Sequence, residues 1–173
     1  KNTDEHVILL SSGDMWQGSS ESNLTEGHLV TEWMNKMGFV AMAVGNHEYD
    51  WGEEIVQENA QLAEFPFLAI NLYDVNTNNR VEYCDASVVV EKGGIQIGII
   101  GAIGDCYSSI ASDHTKGIYF KTGDDLTALV KKEAEQLRKQ GVDYIVYSIH
   151  DGYGGKQFNN TATDSMLAPY YDV

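Results

Sequence analysis

Two apolar runs near the start of the chain, residues 7–10 (Val-Ile-Leu-Leu) and 39–44 (Phe-Val-Ala-Met-Ala-Val), are unbroken by polar residues. Both read as strands buried on two faces. Between them, residues 25–37 have helical spacing. Leu29, Val30, Trp33, Met34 and Met37 share a face, and Gly38 is placed to end the helix. A second helix is expected over residues 53–63, with Ile55, Val56, Ala60, Leu62 and Ala63 as its apolar set and Pro66 beyond its end. Residues 67–70 form another short strand, and the polar, Asn-rich stretch 74–80 is a loop. Residues 86–90 and 95–100 pair as a hairpin through Glu91-Lys92-Gly93-Gly94. A polar loop over 104–117 precedes a long helix over 124–140. That helix is marked by Leu126, Leu129, Val130, Ala134 and Leu137, with Asp124 and Asp125 at its start and Gly141 at its stop. Residues 144–149 form a last strand with His150 just past its end, and residues 151–160 are a loop. The order β-α-β-α-β, hairpin, α-β predicts an α/β fold, with a layered and mixed sheet carrying helices on its faces.

The polar residues that follow these strands carry the candidate chemistry. Gly13-Asp14 follows the first apolar run, Gly45-Asn46-His47-Glu48-Tyr49-Asp50 follows the second, and His150 follows the last. Ligands of open α/β sheets bind at the carboxyl ends of the strands, so residues far apart in sequence are expected to share one crevice there. A carboxylate can bridge two cations, and a carboxamide oxygen and imidazoles complete such shells. Two divalent cations about 3.5–4 Å apart clamp a phosphoryl group and acidify a bound water. Asn46 and His47 are adjacent and point in different directions, so one can bind metal while the other faces substrate. Asp50, three residues on, is placed to accept the other ring N–H of His47 and set its tautomer. Taken singly, Asp14 reads as a turn residue, Asn46 as a left-handed turn residue, His47 as a surface histidine and Asp50 as a helix-start acid. Glu48 reads as a brace for its loop. Trp16 and Tyr49 read as packing, and His28 and His114 as surface or packing histidines outside any motif.

Composition narrows the partners. Eleven Lys and Arg stand against 26 Asp and Glu among 173 residues, a net charge of −15. Such a field disfavours nucleic-acid backbones and anionic membrane surfaces. It leaves a phosphorylated substrate open, because bound divalent cations invert the local sign. No apolar stretch reaches the roughly eighteen residues of a membrane span, and Lys1 opens no signal-peptide pattern. Cys84 and Cys106 form no CxxC pair and read as two free thiols.

Gly13-Asp14 with Gly18-Ser19, then Gly45-Asn46-His47-Glu48-Tyr49-Asp50-Trp51-Gly52, then Ser148-Ile149-His150, resembles the calcineurin-like metallophosphatase superfamily. Within it the likeness is to the secreted 5′-nucleotidase branch, whose blocks read GDxxxGS and GNHEFDxG; Tyr49 stands in for the Phe. The resemblance covers nearly the whole chain. It implies a layered mixed β-sheet sandwich with flanking helices. It implies two divalent metal ions, drawn from Mn, Zn, Fe or Mg, that generate a hydroxide nucleophile against a nucleoside 5′-monophosphate. Asp14 would bridge the metals, Asn46 and His150 would bind the second, and His47 would be the catalytic histidine that Asp50 orients. It further implies export from a bacterial cell and a separate C-terminal nucleotide-binding domain. The family's Asp-x-His block before Asp14 and Gly-His-x-His block after His150 lie outside these 173 residues, so the chain reads as the core of a catalytic domain, truncated at both ends and itself nearly inactive. The alternatives are 2′,3′-cyclic phosphodiesterase, nucleotide-sugar pyrophosphatase or thiosulfohydrolase activity on the same core, or a non-catalytic domain that binds metal or phosphate.

Overall fold

The computed structural model describes residues 7–151, 167 and 169–173. The expected loop over 152–160 therefore lies outside the described residues. In chain order the elements are β1 (Leu9–Ser11), α1 (Ser20–Leu24), α2 (His28–Met37), β2 (Phe39–Ala43), α3 (Glu53–Leu62), β3 (Phe67–Leu68), β4 (Leu72–Asp74), β5 (Ser87–Lys92), β6 (Ile95–Ile103), β7 (Ile118–Phe120), α4 (Gly123–Lys139) and β8 (Tyr144–His150). Short 3₁₀ turns at His47–Tyr49 and Asp105–Ser109 follow β2 and β6.

Parallel pairing joins β1, β2 and β3 into one sheet. A second, mixed sheet has β6 at its centre, antiparallel to β5 and parallel to β8. The two sheets pack on each other through Ala41 and Leu68 of the first and Ile99 of the second, with Leu10, Val88, Val90, Ile97 and Val146 around them. The outer face of the first sheet is covered by a cluster containing Met34, Met42, Val56 and Phe67. The outer face of the second is covered by α4, through Leu126, Val130, Ala134 and Leu137 against Ile100, Ala102 and Ile145. Alternation along β6 explains this: Ile97 and Ile99 point to the partner sheet, Ile100 and Ala102 to the helix. The architecture is thus the expected sandwich of a mixed sheet system with helices outside.

Local departures have local causes. The helix expected over 25–37 begins only at His28, and a separate short helix, α1, precedes it over Ser20–Leu24; Gly27 at the junction adopts φ +85°, and a Cβ there would lie 2.5 Å from the Trp16 ring. Leu29 and Trp33, read as part of its buried face, are 47% and 49% exposed, whereas Met34 and the unpredicted Thr31 are buried. Thr31 donates to the buried Asn59 Oδ1 at 2.7 Å, so a polar pair lies where α2 meets α3. The strand expected over 67–70 stops at Leu68. Beyond it the chain turns into β4, which pairs antiparallel with β7 as a two-stranded ribbon. The reading of 74–80 and 104–117 as loops stopped short of these two strands at their edges. The ribbon is fastened by Asn71, wholly buried, whose Nδ2 donates to the Ile103 and Lys121 carbonyls at 2.7 and 2.9 Å. That side chain fixes the end of β6, and so the loop that leaves it. Both cysteines are free and buried. Among the described residues no helix is long and apolar enough to cross a membrane.

Candidate metal and phosphate site

β1, β2 and β8 run parallel within their sheets and end at the same edge of the sandwich, which brings Asp14, Asn46 and His150 together. The approach is close enough to exclude side chains at two positions. A Cβ on Gly13 would lie 2.6 Å from the Gly45 nitrogen and 2.9 Å from His150 Nδ1, and one on Gly45 would lie 2.4 Å from Asp14 Oδ1. Gly13 and Asp14 both take positive φ, +94° and +54°, so the chain doubles back sharply after β1.

Glu48 holds this turn in place. Its carboxylate is wholly buried and accepts the backbone N–H groups of Asp14 and Met15, both at 2.8 Å, and of Gly45 at 2.7 Å. Burial pushes its pKa up, and the three donors work against that by favouring the charged form. One side chain thus joins the loop after β1 to the loop after β2. The expected brace is real, and it spans two loops rather than one. Trp16 and Tyr49, 1% and 0% exposed, serve as packing.

Around Asp14 the polar atoms are arranged about a common point. Asp14 Oδ1 accepts the His47 N–H at 2.9 Å, while Oδ2 lies 3.2 Å from His150 Nε2. Asn46 Oδ1 lies 3.1 Å from the same Nε2. His150 is the last residue of β8 rather than the first beyond it, and its Nδ1 is 2.7 Å from the Ser12 carbonyl, to which it donates. With Nδ1–H committed there, Nε2 presents its lone pair toward two oxygens that also carry lone pairs. A second ring proton or a cation reconciles the three. Burial works to lower the His150 pKa, yet the Asp14 carboxylate and the Ser12 carbonyl outweigh it and raise it. Burial likewise opposes ionisation of Asp14, but His150 and the His47 N–H hold its carboxyl below the ordinary value. One carboxylate, one carboxamide oxygen and one imidazole nitrogen form a donor set suited to a hard or borderline divalent cation. Among the described residues no group of three or more His, Cys, Asp or Glu forms a metal cage, so this mixed set with its amide oxygen is what those residues offer.

His47 stands beside this point, its backbone N–H on Asp14 and its ring paired with Asp50. Its Nδ1 is 2.8 Å from Asp50 Oδ2, a pair closed by the 3₁₀ turn His47–Tyr49. The hydrogen bond to Asp50 raises the His47 pKa, against a smaller opposing effect of burial. The Nδ1–H is thereby assigned and Nε2 is left as the ring's free nitrogen. Replacing Asp50 by Asn removes the charge that holds the ring proton, so the His47 titration midpoint of the metal-free protein falls toward 6.5, its unperturbed value. A histidine-selective NMR titration reads this directly; a midpoint that rises or stays put contradicts the pairing.

A cleft of about 490 Å³ lies elsewhere, lined by residues that include Glu53, Gln57, Asp74, Arg80 and Tyr83. It excludes all the strand-end residues above. The converging lone pairs, not the depth of a pocket, mark the candidate site.

No family model matches the chain. It is 34% identical over 167 residues to a 5′-nucleotidase of Vibrio cholerae, a match covering 95% of this chain and 30% of that protein. Among solved structures, a 5′-nucleotidase precursor from Thermus thermophilus superposes with a TM-score of 0.73 at 28% identity, over 85% of this chain and 28% of the other. The sulfate thiohydrolase SoxB of Thermus thermophilus superposes with a TM-score of 0.74 at 25% identity, over 84% and 26%. This chain therefore spans about three-tenths of the length of the curated relative it matches. The strand-end blocks, the sandwich and these likenesses agree, and the chain belongs to the 5′-nucleotidase family, with the fold of a calcineurin-like phosphoesterase.

Proposed function

We propose that this chain carries one side of a two-cation centre that hydrolyses the phosphate monoester of nucleoside 5′-monophosphates. The observation that carries the reading is the meeting of Asp14 Oδ2, Asn46 Oδ1 and His150 Nε2 within 3.2 Å, beside the His47–Asp50 pair. Asp14, Asn46 and His150 would hold one divalent cation of the Mn, Fe, Zn or Mg class, and Asp14 would be shared with the second. When bound, such cations acidify a water and neutralise the phosphoryl oxygens. The residues of this chain then do the rest. Glu48 and the two close-approach glycines keep the Asp14 and Asn46 loops rigid, so the site needs little reorganisation. Asp50 keeps Nδ1–H of His47 in place and favours the charged ring, which presents its second proton at Nε2 to the leaving 5′-oxygen. The adjacent positions of Asn46 and His47 separate metal binding from proton delivery. The acidic surface stays compatible with an anionic substrate because the cations invert the sign locally. Export from a bacterial cell and a nucleoside-binding domain on the same polypeptide belong to this proposal.

The test compares the rates, with saturating Mn²⁺ and the protein at its full natural length, of phosphate release from AMP, of opening of a 2′,3′-cyclic nucleotide to its nucleoside monophosphate, and of cleavage of a nucleotide sugar to a nucleoside monophosphate and a sugar 1-phosphate. AMP is expected to be the preferred substrate. Equal or greater turnover of either diester would move the assignment to a sister activity. Residues 1–173 alone are expected to bind Mn²⁺ weakly, because one cation would meet three of their donors and otherwise keep its waters. Titration calorimetry that finds two tight sites in those residues would show that they suffice.

A further inference from the structure

The 3₁₀ turn that presents His47 is held from a distant part of the chain. His114, in the stretch between β6 and β7, has its Nδ1 2.9 Å from the Tyr49 carbonyl oxygen, to which the ring N–H donates. The two residues are 65 apart in sequence. That carbonyl belongs to the Tyr49–Asp50 peptide unit. The N–H of the same unit donates to the His47 carbonyl at 3.2 Å and closes the turn. The peptide group is planar, so fixing its oxygen fixes the direction of its N–H and the Cα from which the Asp50 carboxylate springs. The Tyr49 carbonyl also accepts the Gly52 N–H at 3.0 Å, so the group is held from the next loop as well.

The stretch that carries His114 is itself anchored. The buried Asn71 fixes the end of β6, from which it leaves. The Tyr107 ring stacks on Phe120 with centroids 5.1 Å apart, and Phe120 meets the buried Tyr49 ring edge-on at 6.1 Å. Ring and carbonyl of Tyr49 are thus both gripped by residues 107–120. Asp50, 2.8 Å from His47 Nδ1, inherits its position from a peptide gripped in this way.

We infer that His114 is a positioning residue for the His47–Asp50 pair, acting through the Tyr49 carbonyl and not on substrate or metal. The reactive role of His47 rests on the function proposed above, but the geometric linkage stands without it. A misplacement of the pair by a fraction of an ångström lowers turnover without weakening substrate binding, because His47 acts only as the leaving oxygen departs. His114→Ala is expected to lower kcat about tenfold, with KM, metal content and melting temperature little changed. Asn places an N–H donor near the position of Nδ1, so His114→Asn is expected to restore most of the loss. In an Asp50→Ala background, His114→Ala is expected to cost nothing further, since the residue it positions is gone.

A second measurement does not depend on turnover. The His47 Nδ1–H shared with Asp50 is expected to give a slowly exchanging imidazole proton signal in the NMR spectrum of the metal-free protein. It should be lost or weakened in His114→Ala and present in His114→Asn. An unaltered signal in His114→Ala overturns the inference even if the enzyme hydrolyses AMP. A lost signal in a protein that hydrolyses no phosphate ester supports the linkage and removes the function instead. Full additivity of the Asp50 and His114 substitutions, or no rescue by Asn, also overturns it.

Discussion

His47→Ala lowers turnover of a nucleoside monophosphate by about 10²–10⁴-fold and leaves bound metal in place, whereas Asp14→Ala loses metal and turnover together. The two residues are neighbours, with the His47 N–H donating to Asp14 Oδ1 at 2.9 Å, so proximity alone predicts no such difference. The separation follows from direction. The His47 ring is committed at Nδ1 to Asp50, and its side chain is 41% exposed. Asp14 turns its other oxygen to His150 Nε2 and Asn46 Oδ1 turns to the same atom, so in the proposed scheme these three would share one cation. Truncating His47 removes a proton donor from the rim and leaves that donor set whole. Truncating Asp14 removes the oxygen that would be shared between two cations. Measurement of metal content and of phosphate release on both variants checks the pair. Metal loss from His47→Ala would place its ring on the cation and exchange the roles assigned here.

The largest effect on stability is expected at Glu48, a residue with no contact to substrate in this scheme. Glu48→Ala leaves the buried N–H groups of Asp14, Met15 and Gly45 without their acceptor and opens a void between two loops. A single orphaned buried donor costs about 1–3 kcal/mol, and three share this acceptor, so a loss of about 3 kcal/mol or more is expected. Glu48→Gln keeps the shape but sets an NH₂ group against N–H donors, and is expected to fall between Ala and the parent. Urea unfolding of the metal-free variants reads the loss. Metal titration is expected to show weakened affinity as well, since the Asp14 turn loses the carboxylate that holds its backbone at φ +54°. Unchanged unfolding midpoints would mean that water replaces the carboxylate at no cost, and would remove Glu48 from the account of the site.

Much of the fold could be read from periodicity because each strand and helix buries one face against a layer. Val130, Ala134 and Leu137 repeat at helical spacing since α4 meets the sheet along one stripe. β4 and β7 stayed illegible: each has three residues, too few to display an alternation, and they come from distant segments that the buried Asn71 helps to tie together. The failed assignment of Leu29 and Trp33 has the same root, since a helix face records hydrophobicity but not whether a neighbour covers it.

For the candidate site, the sequence by itself determined the side-chain types and the elements that carry them. Gly13-Asp14, Gly45-Asn46-His47 and His150 each follow an apolar run, and strand ends are where an α/β sheet gathers ligands. The local spacing of His47 and Asp50 also fitted a single turn. Only the tertiary structure decided how these groups face one another. Sequence spacing carries no information on how closely three strand ends approach, on the buried Glu48 that reaches back to Met15, on the Ser12 carbonyl that sets the tautomer of His150, or on His114 meeting Tyr49 across 65 residues. Those contacts are made by backbone N–H and C=O groups, which every residue possesses. They therefore leave no mark on the pattern of residue types, and only the packing of the two sheets brings them into register.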